Sequence, residues 1–160
     1  RRGPAAQLWI LMLDCSSSML RNGALAYAKG VAHAFDQRAA VSGAHVAVIA
    51  FRGDAAEIRV SSRAGRAVLE HGIAVLPGGG GTPLGAALLS ADRLCRSAPF
   101  RSRDVNKRLV LLTDGRSREQ VAPLAAADRE WLVVDCERGP VRLGGAARIA
   151  AALGGTCLRL

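Results

Sequence analysis

The sequence predicts an open α/β fold: a doubly wound, mostly parallel six-stranded sheet with one antiparallel edge strand and helices on both faces. Three observations predict it. Continuous apolar runs of strand length recur at Leu8 to Leu13, His45 to Phe51, Leu109 to Thr113, Trp131 to Cys136 and Thr156 to Leu160. Such runs mark strands buried on both faces. Between them lie segments with apolar residues at helical spacing, and strand alternating with helix is the pattern of a parallel sheet covered on both sides. A sixth short run, Glu57 to Val60, follows its predecessor too closely for a parallel crossover, so it must return antiparallel as an edge hairpin.

Each element can be justified in order. The first strand, Leu8 to Leu13, ends in Asp14-Cys15-Ser16-Ser17-Ser18, and the first helix spans Ala24 to Ala40. The strand His45 to Phe51 turns through Arg52-Gly53-Asp54 into the edge strand. Those three residues spell an adhesion tripeptide, but a charged Gly-Asp turn is ordinary hairpin chemistry. A helix over Ser62 to Val75 leads to the glycine run Gly78 to Gly81, after which Thr82 precedes a helix over Pro83 to Arg96. Pro83 suits the first helical position, where its missing N–H costs nothing. The central strand Leu109 to Thr113 ends in Asp114-Gly115. A short helix over Glu119 to Asp128, interrupted by Pro123, the strand Trp131 to Cys136, a helix over Gly144 to Leu153 and the last strand Thr156 to Leu160 complete the chain.

At 160 residues, half of them apolar, the chain has the size of a single domain covering 1–160. The four cysteines, Cys15, Cys95, Cys136 and Cys157, form no CxxC pair, so neither a zinc site nor a disulfide framework is signalled. Reduced thiols in a cytosol are the expected state. An apolar signal region and a membrane-length apolar run are both missing, and the chain opens on Arg1-Arg2-Gly3-Pro4. A soluble, cytoplasmic fragment of a longer protein, with no membrane partner, is therefore expected. The formal charge of +9 is almost all arginine, Lys29 and Lys107 being the only lysines. With aromatics at 4% and arginines spread along the chain, nucleic-acid binding is not indicated. An acidic protein surface or flanking segment as counter-charge and a simply solvated arginine-rich exterior both remain open.

In an open α/β sheet, ligands sit outside the carboxyl ends of the strands. Three stretches there carry hard oxygen donors: Asp14-Cys15-Ser16-Ser17-Ser18, the glycine loop with Thr82, and Asp114. Asp14, Ser16 and Ser18 alternate, so an extended loop can turn all three to one side. Two carboxylates and three hydroxyls suit Mg²⁺, with Mn²⁺ close behind. The glycines allow close backbone approach. Competing readings are weaker. Ser18 could cap the first helix, and a glycine loop can cradle phosphate, but no lysine follows Thr82. Nucleophilic catalysis lacks a base, since His33, His45 and His71 fall in a helix, a strand start and a helix end. Cys15 is expected to face inward, Cys136 and Cys157 to form a packed thiol pair at the ends of neighbouring strands, and Asp135 to play at most a secondary role.

Asp14-x-Ser16-x-Ser18, Thr82 in its glycine loop and Thr113-Asp114-Gly115 together resemble the metal-ion-dependent adhesion site of the von Willebrand factor A, or integrin I, domain, a Rossmann-like fold. The resemblance covers essentially the whole chain. It implies that Ser16, Ser18 and Thr82 contact the ion directly or by turns, that Asp14 and Asp114 act often through water, and that an acidic residue of a partner completes the shell. The stretches "AFRGDAAEI", "LPGGGGTPLGAAL" and "LLTDGR" are similar more narrowly to the C-terminal domain of the magnesium chelatase D subunit and its cobalt chelatase relatives. That family joins such a domain to an AAA+-like module, often through an acidic, proline-rich linker, and works with an AAA+ ATPase subunit and a catalytic chelatase subunit in tetrapyrrole metal insertion. No GxxxxGK[ST] occurs here. The resemblance thus implies a non-catalytic docking domain. The rival expectations are the same fold serving a different AAA+ ATPase that remodels a metalloenzyme, and a metal-dependent hydrolase.

Overall fold

The computed structural model describes residues 5–61, 73–121 and 128–160. Its strands are β1 (Gln7–Asp14), β2 (His45–Arg52), β3 (Ala55–Ser61), β4 (Asn106–Thr113), β5 (Arg129–Asp135) and β6 (Thr156–Leu158). Its helices are α1 (Ala24–Val41), α2 (Leu84–Arg96) and α3 (Gly145–Leu153), with a 3₁₀ segment over Ser17–Gly23 before α1. The expected helix over Ser62 to Val75 falls largely on residues outside those described. So does most of the expected helix over Glu119 to Asp128, whose first residues, Glu119 to Val121, are not helical.

The six strands form one sheet in the order β3-β2-β1-β4-β5-β6. All neighbours run parallel except β2 and β3, which pair antiparallel with Arg52 opposite Ala55, leaving Gly53 and Asp54 as the turn. The fold class expected from the sequence is the one observed. β1 lies centrally: the chain builds outward from it to β2 and β3, then returns to its other side for β4, β5 and β6. The β1/β4 boundary is thus the topological switch point, where the crevice of such a sheet opens.

Strand periodicity divides the core into two layers. Trp9, Leu11 and Leu13 of β1 face α1, packing with Ala24, Leu25, Ala28, Ala32 and Ala39. Leu8, Ile10 and Met12 face the other side, against Leu84, Ala87, Leu88 and Ala91 of α2 and Ala146, Ile149 and Leu153 of α3. Alanines at spacings near four along α1 give that helix a thin face, so it lies close to the sheet.

Two local expectations change. Pro83 caps α2 rather than starting it, with φ −81° and ψ 68°, because Leu84 N–H turns back to the Thr82 carbonyl at 2.9 Å. Cys136 and Cys157 do not make a packed thiol pair. Cys157 is paired with Val133 in register and joins the α2/α3 layer, whereas Cys136, just past the end of β5, points into the α1 layer. Both thiols are free.

Candidate metal centre

β1 and β4 end side by side, Leu13 opposite Leu112, so Asp14 emerges next to Thr113. Asp14 is fully buried. Its Oδ2 accepts a hydrogen bond from Thr113 Oγ1 at 2.7 Å, and its Oδ1 accepts one from the Ser16 backbone N–H at 3.0 Å. Burial pushes the Asp14 carboxyl above its ordinary range, hydrogen bonds from Ser16 and Thr113 oppose that, and the nearby Asp114 charge adds to the rise. Ser16 is buried and Ser18 half-buried, and their hydroxyls lie 3.2 Å apart. Neither serine caps a helix with its side chain: the 3₁₀ segment begins after Ser16 and α1 after Gly23, both without a side-chain cap bond. Cys15 points into the α1 layer as expected.

Asp114 follows Thr113 into a tight turn. Gly115 N–H donates to Thr113 Oγ1 at 3.0 Å and Arg116 N–H to Asp114 Oδ1 at 3.1 Å. Asp114 Oδ2 is buried and has no hydrogen-bond partner; Arg116 Nε stands 3.8 Å from it, beyond hydrogen-bonding distance. Gly115 adopts φ +73°, and a Cβ there would meet the backbone of Gly145 and Ala146, so the turn rests directly on the start of α3.

The loop carrying Thr82 is stitched to the serine loop by its backbone. Ser17 N–H donates to the Gly80 carbonyl at 2.9 Å, and Gly79 N–H donates to the Cys15 carbonyl at 2.7 Å. The glycines serve a close approach, but to the hairpin: Cβ atoms at Gly80 and Gly81 would press on Gly53, whose N–H donates to the Gly81 carbonyl at 3.0 Å. Glu119 ties the segment after Asp114 to the same corner by accepting from Gly85 N–H in the first turn of α2. Asp14, Ser16, Ser18 and Asp114 therefore gather at one crevice, and the Thr82 loop is fastened beside them.

Two further residues lie outside the ligand set expected from the sequence. Thr113 positions Asp14 and braces the Gly115 turn with one hydroxyl. Glu137, two residues past β5, is almost fully buried and accepts from Leu143 N–H at 2.7 Å through Oε1, while its Oε2 has no hydrogen-bond partner. Asp135, by contrast, has its oxygens engaged by Glu137 N–H at 2.9 Å and by Arg159 at 3.3 Å, with Arg142 at 3.8 Å.

Among the described residues no group of three His, Cys, Asp or Glu side chains converges, so any ion here would rest on hydroxyls and water beside the two carboxylates. Two buried carboxylates with paired hydroxyls, one carboxylate oxygen lacking any hydrogen bond, do fit an ion that takes oxygen ligands and keeps some water.

A fold of this topology with this crevice defines the von Willebrand factor type A class, and the family profile of the von Willebrand factor type A domain matches residues 9–116. The chain belongs to that family. It is 34% identical to an uncharacterized Mycobacterium tuberculosis protein over 100% of this chain and 27% of that protein. It is 38% identical to the magnesium-chelatase 67 kDa subunit of Chlorobaculum parvum over 79% of this chain and 20% of the subunit. With the magnesium-chelatase 60 kDa subunit of Rhodobacter capsulatus the identity is 33%, over 81% of this chain and 22% of the subunit. The chain thus spans about a quarter or less of these relatives. Solved structures agree on the fold. Proximal thread matrix protein 1 of the mussel byssus, with a zinc-occupied MIDAS motif, superposes with a TM-score of 0.62 at 18% identity, covering 98% of this chain and 42% of that one. The SpRpn10 VWA domain gives 0.58 at 14%, covering 98% and 88%. Among the described residues, no helix is long and apolar enough to cross a membrane.

Proposed function

We propose that this chain is a metal-dependent docking domain of a chelatase-type subunit, which holds Mg²⁺, or Mn²⁺ in its place, on Asp14, Ser16, Ser18, Thr82 and Asp114. The observation that carries the reading is the buried Asp114 Oδ2, left without a hydrogen bond beside a second buried carboxylate and two touching hydroxyls. Desolvated carboxylates held close together without a cation are costly, and a divalent ion removes that cost. The likeness to magnesium-chelatase subunits over four-fifths of the chain supports the parent complex, an ATP-dependent chelatase working on a tetrapyrrole.

When bound, the ion supplies a Lewis-acidic docking point for one further oxygen ligand. The chain's own residues do the rest. Thr113 orients Asp14, the Gly115 turn orients Asp114, and the two stitches between loops hold the Thr82 segment against the serines. With two aspartates against a divalent charge the set is formally neutral, so an Asp or Glu of an AAA+ ATPase subunit or a catalytic subunit approaches without net repulsion. Among the described residues no histidine is placed at this crevice, and a general base for hydrolysis is not evident, so the hydrolase reading has no observation in its favour.

Isothermal titration of Mg²⁺ and Mn²⁺ into the chain tests the reading. Wild type should take up one ion; Asp14→Ala should lose binding, and Thr82→Ala should weaken it at least tenfold. Capture of an AAA+ chelatase subunit should require the ion. Indistinguishable titrations for wild type and both variants would overturn the assignment.

A further inference from the structure

The described molecule has one place where two almost fully buried carboxylates each keep an oxygen without a hydrogen bond while facing the same cation. Asp114 and Glu137 are each 3% exposed, and Asp114 Oδ2 and Glu137 Oε2 have no hydrogen-bond partner. Arg116 Nε lies 3.8 Å from the first and Arg116 Nη2 lies 3.8 Å from the second. Both distances are ion-pair distances too long for hydrogen bonds.

Charge-assisted bonds near 2.8 Å are the strong ones, and a buried guanidinium gains most by closing on a carboxylate. Arg129 does so in this same molecule, meeting Asp92 at 2.6 Å. Arg116 instead stands between two acids and bonds to neither. The Glu137 carboxylate is held through Oε1 by Leu143 N–H and is almost fully buried, which leaves its free oxygen facing Arg116. Asp114 is pinned likewise through Oδ1. The mobile member is the arginine, one-third of whose side chain is exposed.

We propose that Arg116 is a tethered cation of the metal centre, which covers Asp114 when no divalent ion is present and is retained by Glu137 when one is, so that this pair sets the affinity of the centre. The inference rests on the docking-site reading above. Glu137 has no place in the ligand set here: Asp14, Asp114 and Glu137 do not converge as a three-carboxylate cage. It acts on the ion through charge and through its hold on Arg116, and both residues are positioning residues.

The signs follow from competition for Asp114. Arg116→Gln removes the competing cation and should tighten Mn²⁺ binding about threefold to tenfold, the size of one unit charge a few ångströms away across a partly solvated path. Arg116→Lys keeps the charge and should stay near wild type. Glu137→Gln removes a negative charge and leaves Arg116 to Asp114 alone, so binding should weaken by a similar factor. The double variant, in which both charges are gone, should return toward wild type. The experiment is Mn²⁺ titration of the 160-residue chain by calorimetry and electron paramagnetic resonance, with unfolding midpoints recorded for each variant. A purely structural arginine would lower the midpoint of Arg116→Gln and leave its affinity unchanged or weaker; with wild type still binding, that result overturns this proposal alone. If wild type binds no ion, the docking-site reading and this proposal fall together. Should Glu137→Gln fail to fold, the Arg116→Gln and Arg116→Lys comparison still decides.

Discussion

At the amino end of the sheet, buried Lys107 donates to the Ser102 carbonyl at 2.9 Å, to the Val105 carbonyl at 3.1 Å and to the Asp128 carboxylate, while Arg129 meets Asp92. At the carboxyl end, Asp14, Asp114 and Glu137 are buried with two carboxylate oxygens unbonded and Arg116 standing off from both. The two ends share strands, burial and residue types, yet only one closes its charges. At the amino end, Arg129 Nε and Trp131 Nε1 lack a hydrogen bond, but neither is a carboxylate oxygen, and Arg129 Nε still lies 4.0 Å from Asp128. Buried ions are tolerated when paired and hydrogen-bonded, and are otherwise a sign that something else is meant to neutralise them. The amino end closes its buried charges on one another; the open carboxyl end is what the proposed docking function would use.

The largest expected effect alters geometry at the carboxyl end without touching any charge. A Cβ on Gly115 would stand 2.1 Å from Ala146 N and 2.3 Å from the Gly145 carbonyl carbon, at φ +73°. Gly115→Ala should therefore cost about 4 kcal/mol in denaturant unfolding. Gly23→Ala, at φ +71° with open space around it, isolates the backbone cost and should lose only about 1 kcal/mol. Equal losses would show that the Gly115 turn does not rest on α3.

Next comes the amino end. Lys107→Met strips the donor from two carbonyls and leaves Asp128 without its ammonium, so unfolding should show a loss of about 3 kcal/mol, with Mg²⁺ affinity unchanged. Acid should imitate this. The hydrogen bond from Lys107 holds the Asp128 carboxyl below its ordinary value of 3.8. The stability that this pair contributes is therefore present above that value and is lost as pH falls through the lower, folded one. A loss of metal affinity in Lys107→Met would erase the division of labour between the two ends.

Much of this contrast was legible in the sequence, and the limits were physical. Periodicity exposed the strands because burial on both faces leaves no polar positions in runs such as Leu8 to Leu13, and the five residues before Glu57 forced the hairpin. Asp14, Ser16, Ser18, Thr82 and Asp114 stood out because each follows a strand or a glycine loop. Thr113 entered only as part of a motif, with no role of its own, and Glu137 not at all, because their roles depend on which strands are neighbours, and local sequence does not state that β1 lies beside β4. In the sequence the glycine loop reads as making room for an ion; Gly80 and Gly81 instead lie against the backbone of Gly53, a partner fixed only once the hairpin is placed. Cys136 and Cys157 end adjacent strands, but which face each thiol takes depends on the β5–β6 register.

The smallest effect tests the carboxyl end by removing a charge without changing shape. Burial raises the Asp14 carboxyl above its ordinary value of 3.8, with Asp114 adding to the rise against the hydrogen bonds from Ser16 and Thr113. A raised folded value means that the native chain binds this proton more readily than the unfolded chain does. In the absence of metal, Asp14 therefore costs stability as pH climbs from its unfolded value through its folded one. Asp14→Asn should abolish that cost: in chelator at neutral pH its unfolding midpoint should lie modestly above wild type, and the gap should close as pH is lowered. Added Mg²⁺ should reverse the order, raising the wild-type midpoint and leaving Asp14→Asn where it was, since only the charged side chain binds the ion. A wild-type chain more stable than Asp14→Asn in chelator would mean that the Thr113 and Ser16 hydrogen bonds already satisfy the aspartate. The carboxyl end would then be as closed as the amino end, and the cation would have nothing to relieve there.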